Sequence, residues 1–512
     1  MSSVLDRIAH RAGQKNVRFT TLAHHLTPEF LESTWHGLNQ RGAPGISGET
    51  MEAYGKARAE RIPELVERMK RHAYRVPPVR RTYIPKAGNT QKMRPLGIPE
   101  VEDRLLQAAV SRLLTPIYEA VFQPCSYGFR PGRDAHQALA ALDAQLAFRP
   151  INWVYEADVQ GFFDHLDHEW LLKMLDLRMG DPGITRLIRK WLTAPIVEPD
   201  GKVHRPTEGS PQGGPLSPLL ANIYLHYALD QWFVAGFRRT CTGEAYLTRY
   251  ADDFVVAFER EEDARRFASI LPERLAKFGI TLAPEKTRHV RFGRREWAQA
   301  IRERRPTERF EFLGFVHVGG RTQKGRPILI RRPSTKSQRK FLQRVKGWLA
   351  DHQHDPTPRQ QAQLSAMLRG HDHYFGLPGC LQKPRSRKIL NLRRDVGPDP
   401  VVPQGMELVR LELDEGKLLI GHLEASGIGR LIELAAHFEP CGGVGVGDHV
   451  DDDFVRGERT SPCVDADVGV PHAGAAGATR HEKLTGWRTM AATGGRRMRS
   501  CTVWCSEPVG GV

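Results

Sequence analysis

The spacing of apolar and polar positions divides the chain into four zones. Residues 1–75 are polar and helix-prone, broken by the Gly/Pro punctuation Arg41-Gly-Ala-Pro-Gly-Ile-Ser-Gly48. From residue 76 to about 330, short apolar strands alternate with Gly/Pro loops and amphipathic helices, the pattern of an α+β core. Within it, Leu247-Thr-Arg-Tyr-Ala-Asp-Asp-Phe-Val-Val-Ala-Phe-Glu259 predicts two short strands joined by an acidic turn. Asn152-Trp-Val-Tyr-Glu-Ala-Asp158 predicts another apolar strand, ending in a carboxylate. From Ser334 to Gly376 the period becomes helical. Phe341, Leu342, Val345, Trp348 and Leu349 share one face, and Lys336, Arg339, Lys340, Arg344 and Lys346 cover most of the rest. Residues 401–512 hold 18 of the 48 glycines without a sustained period, so the tail from 396 to 512 is expected to be poorly ordered.

Composition sharpens this picture in two places. Hydrophobic residues make up 40% of the 512, enough for real cores, and no apolar run approaches the roughly 18 residues of a spanning helix. Seven scattered cysteines, an odd number, do not make a disulfide framework, and the expectation is a cytoplasmic protein. Charge is more telling. The net charge is +16, and Lys286 to Lys346 alone carries 19 Lys/Arg against 4 Glu, a net of +15, whereas residues 401–512 carry 11 basic against 16 acidic residues, a net of −5. So concentrated a basic block suggests a polyanion partner, because neutralised phosphates release counterions.

The candidate chemistry lies in the acids. Adjacent acids in an extended chain point to opposite faces, so one of Asp252 and Asp253 is expected to ligate a metal directly while the other sits beside it. Asp158, at the end of a neighbouring strand, would supply the second carboxylate. Hard Mg2+ prefers such oxygens and takes waters and substrate phosphates as its other ligands. Between these acids lies Glu208-Gly-Ser-Pro-Gln-Gly-Gly-Pro-Leu-Ser-Pro-Leu-Leu-Ala-Asn-Ile-Tyr-Leu225. Its glycines allow close backbone approach, and Ser217 and Pro218 suggest an N-cap and first turn. A helical repeat then runs through Leu216, Leu219, Leu220, Ile223, Tyr224 and Tyr227. Gln212, able to donate and accept, could position a base or sugar.

In this order the motifs resemble those of reverse transcriptases encoded by bacterial group II introns, often called intron maturases, over about residues 20–385. Tyr83-Ile-Pro-Lys-Ala-Gly-Asn-Thr-Gln-Lys-Met-Arg-Pro-Leu-Gly-Ile-Pro99 looks like the fingers motif, and Phe122-Gln-Pro-Cys-Ser-Tyr-Gly-Phe-Arg-Pro-Gly-Arg133 follows it. Glu156-Ala-Asp-Val-Gln-Gly-Phe-Phe-Asp164 is similar to the first palm acid motif, and Ser210–Asn222 to the palm helix motif. Tyr250-Ala-Asp-Asp253 matches the polymerase signature; Glu285-Lys286-Thr287, Phe312-Leu-Gly-Phe315 and Leu368-Arg-Gly-His-Asp-His-Tyr-Phe-Gly376 complete the series.

The resemblance implies a right hand of fingers, palm and thumb that extends a DNA primer on RNA with dNTPs. It divides the chain into an RNA-binding extension (1–75), fingers and palm (76–330), a thumb/maturase domain (331–395) and an atypical tail (396–512). Asp158 and Asp252, helped by the Val159 carbonyl, would bind Mg2+, with Asp253 completing the acidic cluster. Lys86 and Arg94 would grip the triphosphate. Phe163 would exclude a ribose 2′ hydroxyl, Gln212 and Gly213 would contact the nucleotide, and Lys286 would support the site. Arg331, Arg332, Lys336, Arg339, Lys340 and Arg344 would meet nucleic acid, including group II intron RNA that the protein helps to splice and the DNA primer or target.

Two departures stand out. Gly45-Ile-Ser-Gly48 has Ser where similar sequences carry Asp, which puts a local turn in question. Near Lys383 the basic, aromatic-bearing segment that completes the thumb in relatives gives way to the Gly-rich tail, read here as foreign or frame-shifted sequence. Its cysteines form no Cys-x-x-Cys pair, so a metal-bound nuclease is not expected there. The rival readings are a splicing cofactor with a silent polymerase and a reverse transcriptase of another bacterial retroelement class.

Overall fold

Hydroxyl side chains start the first three helices. Ser3, Thr27 and Thr50 accept from the backbone of α1 (Val4–Ala12), α2 (Pro28–Trp35) and α3 (Met51–Lys70), satisfying N–H groups that a helix start leaves unpaired. The computed structural model describes residues 3–86, 89–210 and 213–377 and the strands Glu407–Leu413 and Lys417–Leu423; the side chains of residues 86 and 89–92 and of those two strands lie outside it.

The fingers sheet comes next. Strands β1 (Val79–Lys86) and β2 (Asn89–Ile98) form an antiparallel hairpin. Helix α4 (Val101–Glu119) follows, with Leu105, Leu106, Ala109, Val110, Leu113, Leu114 and Ile117 fully buried, as befits a central core helix. The Asp134 side chain caps α5 (Ala135–Phe148), which leads into β3 (Trp153–Asp158). Beyond it come α6 (His168–Asp176), α7 (Pro182–Leu192), β4 (Ile196–Val197) and β5 (Val203–His204), and the last two extend the hairpin into a sheet of order β2-β1-β4-β5. The Asp181 carboxylate caps α7 through Ile184 N (3.0 Å) and accepts from Leu22 and Ala23 N (2.9 Å from Ala23), tying the N-terminal extension to the palm.

Helix α8 spans Ser217–Leu225, but Leu216 is its N-cap and gives no side-chain bond. Ser217, expected to cap, instead accepts from the Ser210 hydroxyl at 3.0 Å. The helical repeat expected to reach Tyr227 passes into a π turn at His226–Asp230 before α9 (Gln231–Ala235). Strands β6 (Ala245–Tyr250) and β7 (Asp253–Phe258), helix α10 (Glu261–Ala276) and β8 (Arg288–Arg291) complete the palm, whose antiparallel sheet has the order β6-β7-β3-β8. Tyr155, Ala157, Phe254, Val256 and Phe258 join the large core with α4, α8 and α10. Val154, Val255, Ala257 and Val290 face the other way, into a second core with α5. A sheet buried on both faces accounts for the unbroken apolar run after Asp253.

The second core is closed by α11 (Arg294–Glu303) and a sheet of order β11-β10-β9, formed by β9 (Arg309–Phe312), β10 (Phe315–Arg321) and β11 (Pro327–Pro333). Helices α12 (Thr335–Asp351) and α13 (Thr357–Phe375) follow where the sequence predicts the thumb. The architecture is α+β, as the sequence predicts. Ser47, the departure near the N-terminus, keeps its turn by donating backbone N–H and hydroxyl to Glu100, each at 2.7 Å, where an Asp would set two carboxylates together. Of residues 396–512, only the antiparallel pair β12 (Glu407–Leu413) and β13 (Lys417–Leu423) is described, so the expectation of a poorly ordered tail otherwise lies outside the described residues. Among the described residues no helix is long and apolar enough to cross a membrane.

Candidate active site

Two residues, Ala251 and Asp252, join β6 to β7 across the Tyr250–Asp253 pair. So tight a hairpin loop needs positive φ at its first residue, and Ala251 adopts φ 58°. A side chain there costs about 1–2 kcal/mol against the right-handed region. The buried Arg249 guanidinium holds the loop. It donates to the Ala251 carbonyl (2.7 Å), both Asp230 oxygens, Asn222 Oδ1 (3.1 Å) and Ser126 Oγ (2.7 Å). The π turn places Asp230 in this network.

Gly128 closes the loop from outside. A Cβ on it would lie 2.4 Å from the Ala251 nitrogen, so backbone touches backbone. Gly128→Ala is expected to displace the turn, lowering stability by about 1–3 kcal/mol and catalysis by at least about tenfold. A denaturant melt and a nucleotide-incorporation rate check this; a variant with both values unchanged would refute the contact's importance.

The register sets Asp158 directly opposite Asp253, with Asp252 beside them in the turn. The neighbouring-strand pair is therefore 158 and 253, whereas the sequence suggested 158 and 252. Burial pushes the Asp252 carboxyl up, and Asp158 adds to this while the Arg94 and Arg249 charges oppose it. Burial, then Asp158 and Asp252, push Asp253 up to about 8, against a hydrogen bond from the Leu313 backbone. Lys286 forms an ion pair with Asp158, which raises the lysine's pKa.

The donor set suits a hard divalent cation. Val159 bridges Leu282 between the flanking bonds Gln160 N to Thr281 O (2.8 Å) and Ala283 N to Asp158 O (2.9 Å), so that bridge does not consume its carbonyl. Among the described residues no three His, Cys, Asp or Glu side chains form a ready-made cage.

Protons and metal should therefore compete here. Folded Asp253 holds its proton to about pH 8, while the free carboxyl releases it near 3.8. The folded state binds more protons between those values, so this group's contribution to stability falls as pH rises through that window. Added Mg2+ is expected to raise the melting temperature more at pH 8.5 than at pH 6; equal shifts would count against a carboxylate site.

The other candidates are placed unequally. Arg94 is exposed on β2 and its charge reaches Asp252. Lys86 ends β1, but its side chain, like Gln212, lies outside the described residues. Gly213 has φ 129°, and a Cβ on it would meet the Gly97 carbonyl at 2.5 Å, so close packing on β2 also demands glycine there. Half-buried Phe163 sits in a short turn beyond Asp158, and its carbonyl accepts from Ser210 N (2.8 Å). Arg331 departs from expectation: it is buried, 2.7 Å from Asp143 Oδ2, not on the outer face. Arg332, Lys336, Arg339, Lys340 and Arg344 are exposed.

Sequence reasoning missed Arg249, Asp230 and Asn222. Their signal was a charged residue inside an apolar strand and two polar residues on an apolar helix. It also missed the strained Leu313-Gly314 turn (φ 50° and 81°), where Leu313 reaches Asp253 and its carbonyl accepts from Tyr374 of α13 at 3.0 Å.

The family model described as "Reverse transcriptase (RNA-dependent DNA polymerase)" matches residues 84–317. Protein YkfC of Escherichia coli (strain K12) is 33% identical over 277 residues, 48% of this chain and 72% of YkfC. The chain belongs to the reverse transcriptase family. It is 40% identical over 230 residues to the group II intron-encoded protein LtrA of Lactococcus lactis subsp. cremoris, covering 44% of this chain and 37% of LtrA. It is 27% identical over 234 residues to nuclear intron maturase 2, mitochondrial, of Arabidopsis thaliana, covering 38% and 30%. The chain thus spans only about a third of these two relatives' length.

Proposed function

We propose that the protein is an RNA-directed DNA polymerase that extends a DNA primer on group II intron RNA with dNTPs, and a maturase that helps that RNA to splice. The carrying observation is that Asp158 stands opposite Asp253 with Asp252 beside them in the turn, where the Arg94 charge acts on Asp252. Asp158, Asp252 and the Val159 carbonyl would hold Mg2+. A metal held there would lower the pKa of the primer 3′ hydroxyl and neutralise charge on the departing pyrophosphate. Asp253, opposite Asp158, completes the acidic cluster.

Arg94 and Lys86 bind the triphosphate oxygens, and Gln212 and Gly213 line the nucleotide beside the Gly-rich loop. Phe163 stands one short turn from Asp158 and blocks a ribose 2′ hydroxyl. Lys286 orients the Asp158 carboxylate through its ion pair. Arg332, Lys336, Arg339, Lys340 and Arg344 track the phosphate backbone of intron RNA. Within the division proposed above, this assigns residues 76–330 to chemistry and 1–75 and 331–395 to RNA. A bacterial intron's RNA puts this work in the cytoplasm.

The test is primer extension by the full chain on an RNA template with dNTPs or rNTPs and Mg2+. Extension with dNTPs alone supports the polymerase and its sugar discrimination. A folded protein that binds RNA yet incorporates no nucleotide would leave the splicing role alone.

A further inference from the structure

Phe129 is 55% exposed and adopts φ 58°, a backbone region that costs a bulky side chain energy and suits glycine. Its neighbours explain how this conformation is imposed. Upstream, Tyr127 N donates to Arg249 O (2.9 Å), Arg249 N donates to Cys125 O (2.8 Å), and Asn222 Nδ2 donates to Gly128 O (2.7 Å). Downstream, the buried Arg130 guanidinium pairs with Glu119 and donates to the carbonyls of Gln123 and Ser126, each at 2.8 Å. The chain is thus pinned on both sides of one residue, and Gly128 lies directly against the catalytic turn.

A turn that only needed positive φ would be met best by glycine or asparagine. An aromatic ring that is strained, exposed and one residue from the acids' hairpin has a different use. We propose that Phe129 is a stacking platform for a nucleobase of the primer–template duplex next to the reacting end. The inference rests on the polymerase reading above and adds a specific contact to it. Base stacking is sequence-tolerant, because every base offers a π face, which suits an enzyme that must copy any template.

The experiment compares Phe129→Gly, Phe129→Trp and the parent, as full chains, on an RNA template annealed to a DNA primer. The duplex carries 2-aminopurine at its terminal pair. Parent and Phe129→Trp should bind equally and quench the reporter. Phe129→Gly should bind about five- to a hundredfold more weakly, with the reporter unquenched and the melting temperature equal or higher, because glycine relieves the backbone strain. Unchanged affinity and quenching in Phe129→Gly would overturn the proposal while the parent still extends primers. A lowered melting temperature with unchanged affinity would also overturn it, showing that the ring packs on protein. A parent that neither binds the duplex nor extends it would defeat the polymerase reading and this inference with it.

Discussion

Asp252→Ala is expected to lower primer extension by at least about a thousandfold while leaving the fold intact. Asp252 lies in a two-residue turn whose conformation is held by the Arg249 bond to the Ala251 carbonyl. Burial and Asp158 disfavour its charged form, so removing it relieves repulsion in the metal-free protein. The melting temperature without Mg2+ should therefore stay level or rise, and the extra stabilisation by Mg2+ should shrink. This pairing of outcomes discriminates. A carboxylate that merely capped a surface turn would cost stability on removal and leave incorporation untouched. Single-turnover incorporation, with a melt in and out of Mg2+, reads both quantities. An active Asp252→Ala variant would remove Asp252 from the site.

The strands of the palm and their acids were legible because burial leaves a periodic trace. Trp153 to Asp158 and Asp253 to Phe258 are apolar enough to announce strands, and their side chains alternate between two cores. Which acids face each other was not legible. It depends on the register of β3 against β7, two strands far apart in sequence, which sets Asp253, not Asp252, opposite Asp158. The cap of α8 was missed by one residue: Ser217 lies inside the helix and accepts from the Ser210 hydroxyl, a contact that helix-cap patterns do not encode. Charge was read too simply at Arg331. Composition counts it with its exposed neighbours, yet strand alternation turns it inward to Asp143.

The fingers motif, the palm helix motif and the Phe312–Phe315 motif were legible as segments, but their common purpose is visible only in three dimensions. Gly213 lets the loop before α8 approach Gly97 of β2. Leu313 sends its backbone to Asp253 and its carbonyl to Tyr374 of α13. Each motif fixes the position of another. Asp253 is therefore held through contacts between residues far apart in sequence.

Arg249 is where that support is most concentrated, and Arg249→Met is the second large effect expected. The substitution preserves much of the side-chain bulk but leaves Asp230 charged and fully buried without its cation. Breaking a buried pair in this way costs about 3–5 kcal/mol. The Ala251 carbonyl, Asn222 and Ser126 lose a donor together, so the turn carrying Asp252 is freed as well. Arg249→Lys should fall between, because one ammonium cannot reach acceptors that a planar fork meets simultaneously. The double variant Arg249→Met with Asp230→Leu separates the two roles. Removing both charges should restore a large part of the stability, since an apolar pair of similar volume often matches a buried ion pair. Incorporation should stay low at a temperature where the protein is folded, because nothing then holds the Ala251 carbonyl. Denaturant unfolding and single-turnover incorporation on the parent and three variants read this. Full activity in the stabilised double variant would mean that Arg249 serves the core alone and that the turn keeps its shape without it.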